Sequence, residues 1–300
     1  MGNVGGQAVL EGVMMRGPGN WAVAVRTPSG EIAQVSRPIH SAMARHLVFR
    51  LPLVRGVIAL GESLAIGFRA LAISANYAAQ EEGAEGEVDT ELSRGALIFA
   101  FAIAIGFAVF FFKLTPGFIT EALPVSGTWF AFVEGLIRIA LLVAYLAVIS
   151  LLPDLRRVFQ YHAAEHKVIN AYEAGEQLEP EVAQRYSLIH PRCGTAFLLW
   201  VMVIAVFVYA FFGRPAIYWL VVERTLCLLP IAGIAYELIR FAGKHQGNRL
   251  LMKILAPGLW LQRLTTREPT LDQLEVSIRA LREVLALEGN TPESLVEVMA

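Results

Sequence analysis

Residues 139–152 read IALLVAYLAVISLL, a stretch without one charge that Pro153-Asp154 closes. A helix needs about 20 mostly apolar residues to cross a bilayer, and carrying the stretch back to Phe132 supplies them. Residues 96–112 and 195–212 are likewise free of charge, while a weaker apolar run at 217–239 is interrupted by Glu223 and Arg224. Composition agrees: 56% of the 300 residues are apolar and 17% charged, with a mean hydropathy of +0.54. That is more apolar than an ordinary soluble domain. The pattern predicts a mainly α membrane protein with about four transmembrane helices, at 96–112, 132–152, 196–212 and 217–239.

Basic residues near the span ends set an orientation. Arg94, Arg156, Arg157, Arg192, Arg240 and Lys244 fall on one side of a four-span arrangement, with Lys113 and Arg214 on the other. The positive-inside rule makes the first side cytoplasmic, together with both termini. The expected location is therefore the cell membrane, multi-pass, with the lipid bilayer as partner. A formal net charge of -1 argues against nucleic acid as a partner, since phosphate binding calls for a surplus of Lys and Arg. Two cysteines, Cys193 and Cys227, do not suggest a disulfide framework. The first thirty residues show no cleavable signal peptide.

Residues 1–42 read as a β-rich cytoplasmic cap, because Trp21-Ala22-Val23-Ala24-Val25-Arg26 and Glu31-Ile32-Ala33-Gln34-Val35 flank the turn Thr27-Pro28-Ser29-Gly30. Residues 43–77 carry Arg50, Arg55, Glu62 and Arg69 on one helical side, with Pro52 as a break. Amphipathic interfacial helices fit better there than a span, since Glu62 and Arg69 would each cost at least a few kcal/mol in lipid. Residues 78–95 form an acidic linker. Spans 1 and 2 occupy 96–152, a cytoplasmic loop with a His-rich helix 153–195, and spans 3 and 4 196–240. The cytoplasmic tail, 241–300, is helical: Leu271, Leu274, Ile278, Leu281 and Leu285 form one stripe, with Thr270 as N-cap and Gln273 closing the capping box. Thr291-Pro292 suggests a second helix start. The stripe is expected to pack within the molecule, and an unknown protein partner or substrate is its other use.

Chemistry concentrates at Tyr161-His162-Ala163-Ala164-Glu165-His166-Lys167, inside a helical segment that Gly175 caps. His162 and His166 lie one turn apart, about 40° around the axis, with Glu165 about 60° to the other side of His162. His-x-x-Glu-His is the inverted zinc-protease signature, in which two imidazoles hold the ion and the Glu serves as general base. Chance, or a hydrogen-bonded structural pair, competes with that reading. A second donor pair, His190 and Cys193 in His190-Pro191-Arg192-Cys193-Gly194, falls at the same membrane boundary and shifts the balance toward a divalent transition metal, with zinc favoured by the donor types. Four ligands would close a structural site, and three would leave a position for catalysis. The spacing leaves both open. Glu173 stands about 10.5 Å of rise beyond His166 and is assigned no ligand role. Gln7, Glu11, Arg16 and Arg192 are candidates to support the ligands or touch substrate if the cap folds over the site.

The chain resembles, nearly end to end, the YqhQ-like family of bacterial membrane proteins, which are described as predicted metal-dependent enzymes. The resemblance rests on 5–18 (GGQAVLEGVMMRGP), 53–57 (LVRGV), 161–167 (YHAAEHK), 190–195 (HPRCGT) and 257–269 (PGLWLQRLTTREP). It implies a metal at the His-rich strings and implies no substrate. The leading expectation is a metal-dependent hydrolase with Glu165 catalytic. Its alternative is a non-enzymatic membrane module with a structural metal site. Transport through the bundle, by way of Glu134, Arg138, Glu223 and Arg224, is a third.

Overall fold

The structure is a computed structural model, and it describes residues 4–44, 46–78, 94–212 and 217–289. Most of the acidic linker expected over 78–95 and the helix start expected at Thr291-Pro292 lie outside the described residues.

Four strands, β1 (Gly5–Val9), β2 (Gly12–Arg16), β3 (Asn20–Arg26) and β4 (Ile32–Pro38), form an antiparallel sheet in sequence order. The hairpin expected around 27–30 is the β3–β4 connection, with Gly30 at φ 87°. Side chains alternate across a sheet, and here both faces are covered. Val9, Met14, Trp21, Val23 and Val25 pack with Ile66 and Ala70 of α1 (Val54–Ala78). Val13, Met15, Ala22 and Ala24 pack instead on Tyr161, Ala164 and Val168 of α5 (Pro153–Glu173) and on Leu274, Ile278 and Leu281 of α11 (Leu271–Glu288). The result is three layers, α1 over the sheet over α5 and α11. Full burial of a side chain such as Met15 or Leu281 contributes about 1.5–3 kcal/mol, so the leucine stripe of the tail belongs to this core. Its start is fixed as expected, by a capping box between Thr270 and Gln273.

The apolar remainder is a bundle of α2 (Arg94–Val109), α3 (Thr115–Glu121), α4 (Thr128–Ile149), α7 (Gly194–Ala210), α8 (Ile217–Leu226), α9 (Leu228–Lys244) and α10 (Arg249–Thr265). A π turn, Phe110–Leu114, joins α2 to α3. Between α5 and α7 lies a single turn, α6 (Pro180–Ala183). Helices α4 and α7 meet at Gly135, where a Cβ would come 2.3 Å from Val206 Cγ2. Pro230 offers no N–H to the Leu226 carbonyl, which accounts for the break between α8 and α9 at Cys227.

Four helical stretches are long and apolar enough to cross a membrane: Val54–Ala78, Ile98–Glu121, Trp129–Ile149 and Val222–Lys244. Two differ from expectation. The third expected span, α7, has 17 residues, about 25 Å of helix against a hydrocarbon core of about 30 Å. The region expected to hold interfacial helices over 43–77 contains two 3-10 turns, Ala42–Ala44 and Leu47–Arg50, and then the long helix α1, with the break at Pro52 between them, where Leu53 takes φ 70°. Glu62 of α1 has partners in the cap: it accepts from Arg16 Nη2 (3.0 Å), Ser41 Oγ (2.8 Å) and the Ala42 amide (2.9 Å).

Candidate metal centre

Helix α5 starts with Pro153 in its first turn and stops at Ala174, after which Gly175 (φ 79°) lets the Glu176 amide return to the Ala171 carbonyl at 3.1 Å. One turn of this helix carries His162 and His166, whose rings stand 4.4 Å apart. Cys193 arrives from elsewhere, as the N-cap of α7. The ligand atoms of these three residues all lie within 4.8 Å of one another.

Main-chain carbonyls aim both rings. His162 Nδ1 donates to the Thr265 carbonyl at the end of α10 (2.8 Å), which turns Nε2 toward Cys193 Sγ at 3.2 Å. His166 Nδ1 donates to the Leu188 carbonyl (2.6 Å), and its Nε2 is buried with no hydrogen bond. A donor on one ring nitrogen leaves the other as the lone pair a metal takes. Two ligands of one zinc stand about 3.5 Å apart; His162 Nε2 and Cys193 Sγ are at 3.2 Å, and the third donor lies within 4.8 Å of both. The Leu188 carbonyl is itself held, because buried Lys167 donates to the carbonyls of Gln184 (2.6 Å) and Tyr186 (2.9 Å), and Asn170 donates to that of Ser187 (2.9 Å).

Charge follows the geometry. Burial works against ionising the Cys193 thiol, yet the adjacent His162 and His166 outweigh it and bring the thiol well below its ordinary value. Burial likewise opposes protonation of His162, and Cys193 reverses this and lifts the imidazole to about 9. Each of the two groups thus favours the charged form of the other. Glu165, 6% exposed, is raised by burial against the pull of His166 and His162, and accepts a hydrogen bond from the Gly6 amide. Strand β1 lies so close over it that a Cβ on Gly6 would stand 2.8 Å from Glu165 Cγ and 2.8 Å from the Met14 carbonyl oxygen.

His190 lies outside this set of three donors, although its ring centroid is 5.9 Å from that of His166. Its Nε2 faces Glu173 Oε2 at 3.4 Å, and its main chain is clasped by Gln262, which accepts from the His190 amide (3.0 Å) and donates to its carbonyl (2.9 Å). Burial keeps the His190 imidazole low despite Glu173. Glu173 also pairs with Arg192, and His190 and Arg192 hold its carboxyl at about 2 against the cost of burial. Arg192 donates to the Val4 carbonyl (3.1 Å) as well, so it ties the start of β1 to α5. The other candidate supports point elsewhere. Gln7 faces α1, where a Cβ on Gly67 would come 2.2 Å from its Oε1. Glu11, at φ 51° in the β1–β2 turn, pairs with Arg157 of α5, and Arg16 bonds Ser63 and Glu62 of α1. Glu11 and Arg16 are thus clamps between sheet and helices.

Spacing alone did not mark Gly6, Thr265, Leu188 or Gln262. Leu188 and Thr265 act through the backbone and leave no side-chain signature, whereas Gly6, Gln262 and Thr265 sit inside the strings quoted at 5–18 and 257–269.

Comparison with known proteins adds a family and no activity. Residues 51–287 match the family described as "Protein of unknown function (DUF1385)". The chain is 34% identical over 299 residues to "Uncharacterized protein YqhQ" of Bacillus subtilis (strain 168), covering 95% of this chain and 93% of that one. No solved structure matches. A match across this much of both chains makes the protein a member of the DUF1385 family.

Proposed function

We propose that the protein is a multi-pass cell-membrane metalloprotein whose His162, His166 and Cys193 hold a divalent transition metal, zinc by donor chemistry, on the cytoplasmic face. The observation that carries this is the convergence of three donor atoms within 4.8 Å, one of them a buried imidazole nitrogen with no other partner. The orientation rests on the basic span ends, and both termini are then cytoplasmic.

The function this geometry supports best is metal-dependent hydrolysis. Three protein ligands suit a catalytic site, which keeps a position open, and His190 is committed to Glu173 rather than to the group. A bound ion would supply Lewis-acid polarisation of a substrate oxygen. Glu165 supplies the proton-accepting oxygen: burial raises its carboxyl, and general bases are matched to their working pH by such shifts. The Gly6 amide fixes the rotamer and the Thr265 and Leu188 carbonyls fix the rings.

A second reading is favoured by one observation, the depth of burial of Glu165, His166 and Cys193, at 6%, 1% and 6% exposure. A structural ion would staple α5 to α7 in a membrane module that binds a partner. Elemental analysis of purified protein tests both: no stoichiometric transition metal, with no change on His162→Ala, overturns the metal itself. Glu165→Gln separates the two, since it keeps metal and fold but abolishes turnover in a hydrolase, and is nearly silent in a staple.

A further inference from the structure

The far end of the bundle holds a polar cluster that the metal centre does not use. Tyr209 lies 16 residues along α7 from Cys193, about 24 Å of helix, and its hydroxyl donates to the Arg224 carbonyl at 3.0 Å. Around it stand Glu134 and Arg138 of α4 and Arg224 of α8, which are 1%, 8% and 3% exposed. Arg138 is satisfied: it bonds Glu134, and its Nε donates to the Phe112 carbonyl (3.0 Å) in the π turn, where regular helix bonding is interrupted.

Arg224 is not satisfied. A guanidinium carries five N–H donors, yet its Nε, Nη1 and Nη2 are all buried without a hydrogen-bond acceptor. Among the described residues its supports are the Tyr209 ring, 3.9 Å below, and an ion contact from Nη2 to Glu134 Oε2 at 2.7 Å that lacks hydrogen-bond geometry. Leaving a buried charged donor unpaired costs upward of about 1–3 kcal/mol, and a guanidinium out of water more. Glu223 does not relieve it, because adjacent residues on a helix diverge by about 100°, and its Oε1 is itself buried without a partner. Lys113 of the π turn reaches Thr225 on the same helix as Arg224. Three cations, Lys113, Arg138 and Arg224, thus face two carboxylates, Glu134 and Glu223.

We propose that Arg224, stacked on Tyr209 and flanked by Lys113, is the anchor of a binding site for a phosphate-type oxyanion, either a phospholipid headgroup or free phosphate. The planar fork of arginine matches two oxygens of such a group, and Lys113 approaches as a point charge for a third. The placement rests on reading these helices as membrane spans. Glu134 is six residues from the start of α4, about 9 Å of rise, so the cluster lies within about 9 Å of the headgroups of the leaflet remote from the metal centre, a depth that long Arg and Lys side chains span.

The test uses the full-length protein in detergent. Phosphorus is assayed in the organic extract of freshly purified protein, and inorganic phosphate is titrated against the delipidated protein with thermal unfolding as readout, for wild type, Arg224→Gln and Arg224→Lys. About one extractable phospholipid per chain identifies the headgroup, and a saturable phosphate-dependent rise in Tm identifies the free ion. Either supports the site when Arg224→Lys, which keeps the buried charge and loses the fork, weakens it by at least about tenfold. Neither signal in wild type, a reading that needs no variant to fold, overturns the proposal. So does a signal unchanged in both variants.

Discussion

Two buried polar clusters among the described residues are assembled by opposite means. At the candidate metal centre, carbonyls of Thr265 and Leu188, at a helix end and in a loop, aim the imidazoles. In the bundle, Glu134, Arg138 and Arg224 rely almost wholly on one another. The reason is the state of the backbone. Carbonyls inside apolar helices are spent on i→i−4 bonds, whereas helix ends and loops leave them free. The exception supports the rule, since the one bundle carbonyl that accepts from Arg138 belongs to Phe112 in the π turn. A site whose second partners are backbone can position soft donors accurately without adding charge. One made of side chains alone balances charge against charge.

That contrast is open to attack at its strongest point first. His162→Ala or Cys193→Ala removes one of three converging donors and should lower metal content, measured by elemental analysis, by at least about tenfold. Retained metal would place the ion elsewhere. Next, Gly6→Val drives a side chain against Glu165 and the Met14 carbonyl. Overpacking of this kind costs about 1–3 kcal/mol, read as a fall in Tm together with disturbed metal binding. Gly135→Val, which forces α4 off Val206, should lower Tm by a similar amount while leaving metal content at the wild-type value. Loss of metal there would show that the two regions are not independent.

The smallest effect concerns Glu173. Its carboxyl sits at about 2 rather than 4.5, so the stabilisation it gives is fully present above pH 4.5 and disappears as pH falls toward 2. Glu173→Gln should lower Tm by about 1–2 °C at pH 6, and the gap to wild type should close on acidification. A gap constant with pH would mean that the carboxylate charge is not what holds His190 and Arg192.

Much of this was legible in the sequence, for identifiable reasons. The strand pair around Thr27–Gly30 and the α11 start at Thr270 were readable because turn and cap chemistry is local. The helical spacing of His162, Glu165 and His166 was readable for the same reason. The partners of His190 were not: three residues from Cys193, it reads as a fourth ligand, and spacing shows neither the Gln262 clasp on its main chain nor Glu173 at its ring. The partners of the α1 charges were not legible: Arg55, Glu62 and Arg69 suggest an interfacial pair, and spacing does not show that tertiary partners absorb two of these charges. Arg55 pairs with Glu237 of α9 and Glu62 with Arg16 of β2.

The sheet of residues 5–38 has a consequence for biogenesis. One of its faces is covered by α1, made soon after it, but the other waits for α5 and for α11, some 250 residues downstream. Because domains fold as their chain emerges, and distant contacts close late, every element through α10 is made before Leu274, Ile278 and Leu281 can complete the cover over Val13, Met15, Ala22 and Ala24. The group of His162, His166 and Cys193, whose neighbours come from β1, α5, α7 and α10, is complete only once α10 has been made. A nascent chain arrested before α11 would hold every element of that group and still offer chaperones an incompletely covered apolar sheet.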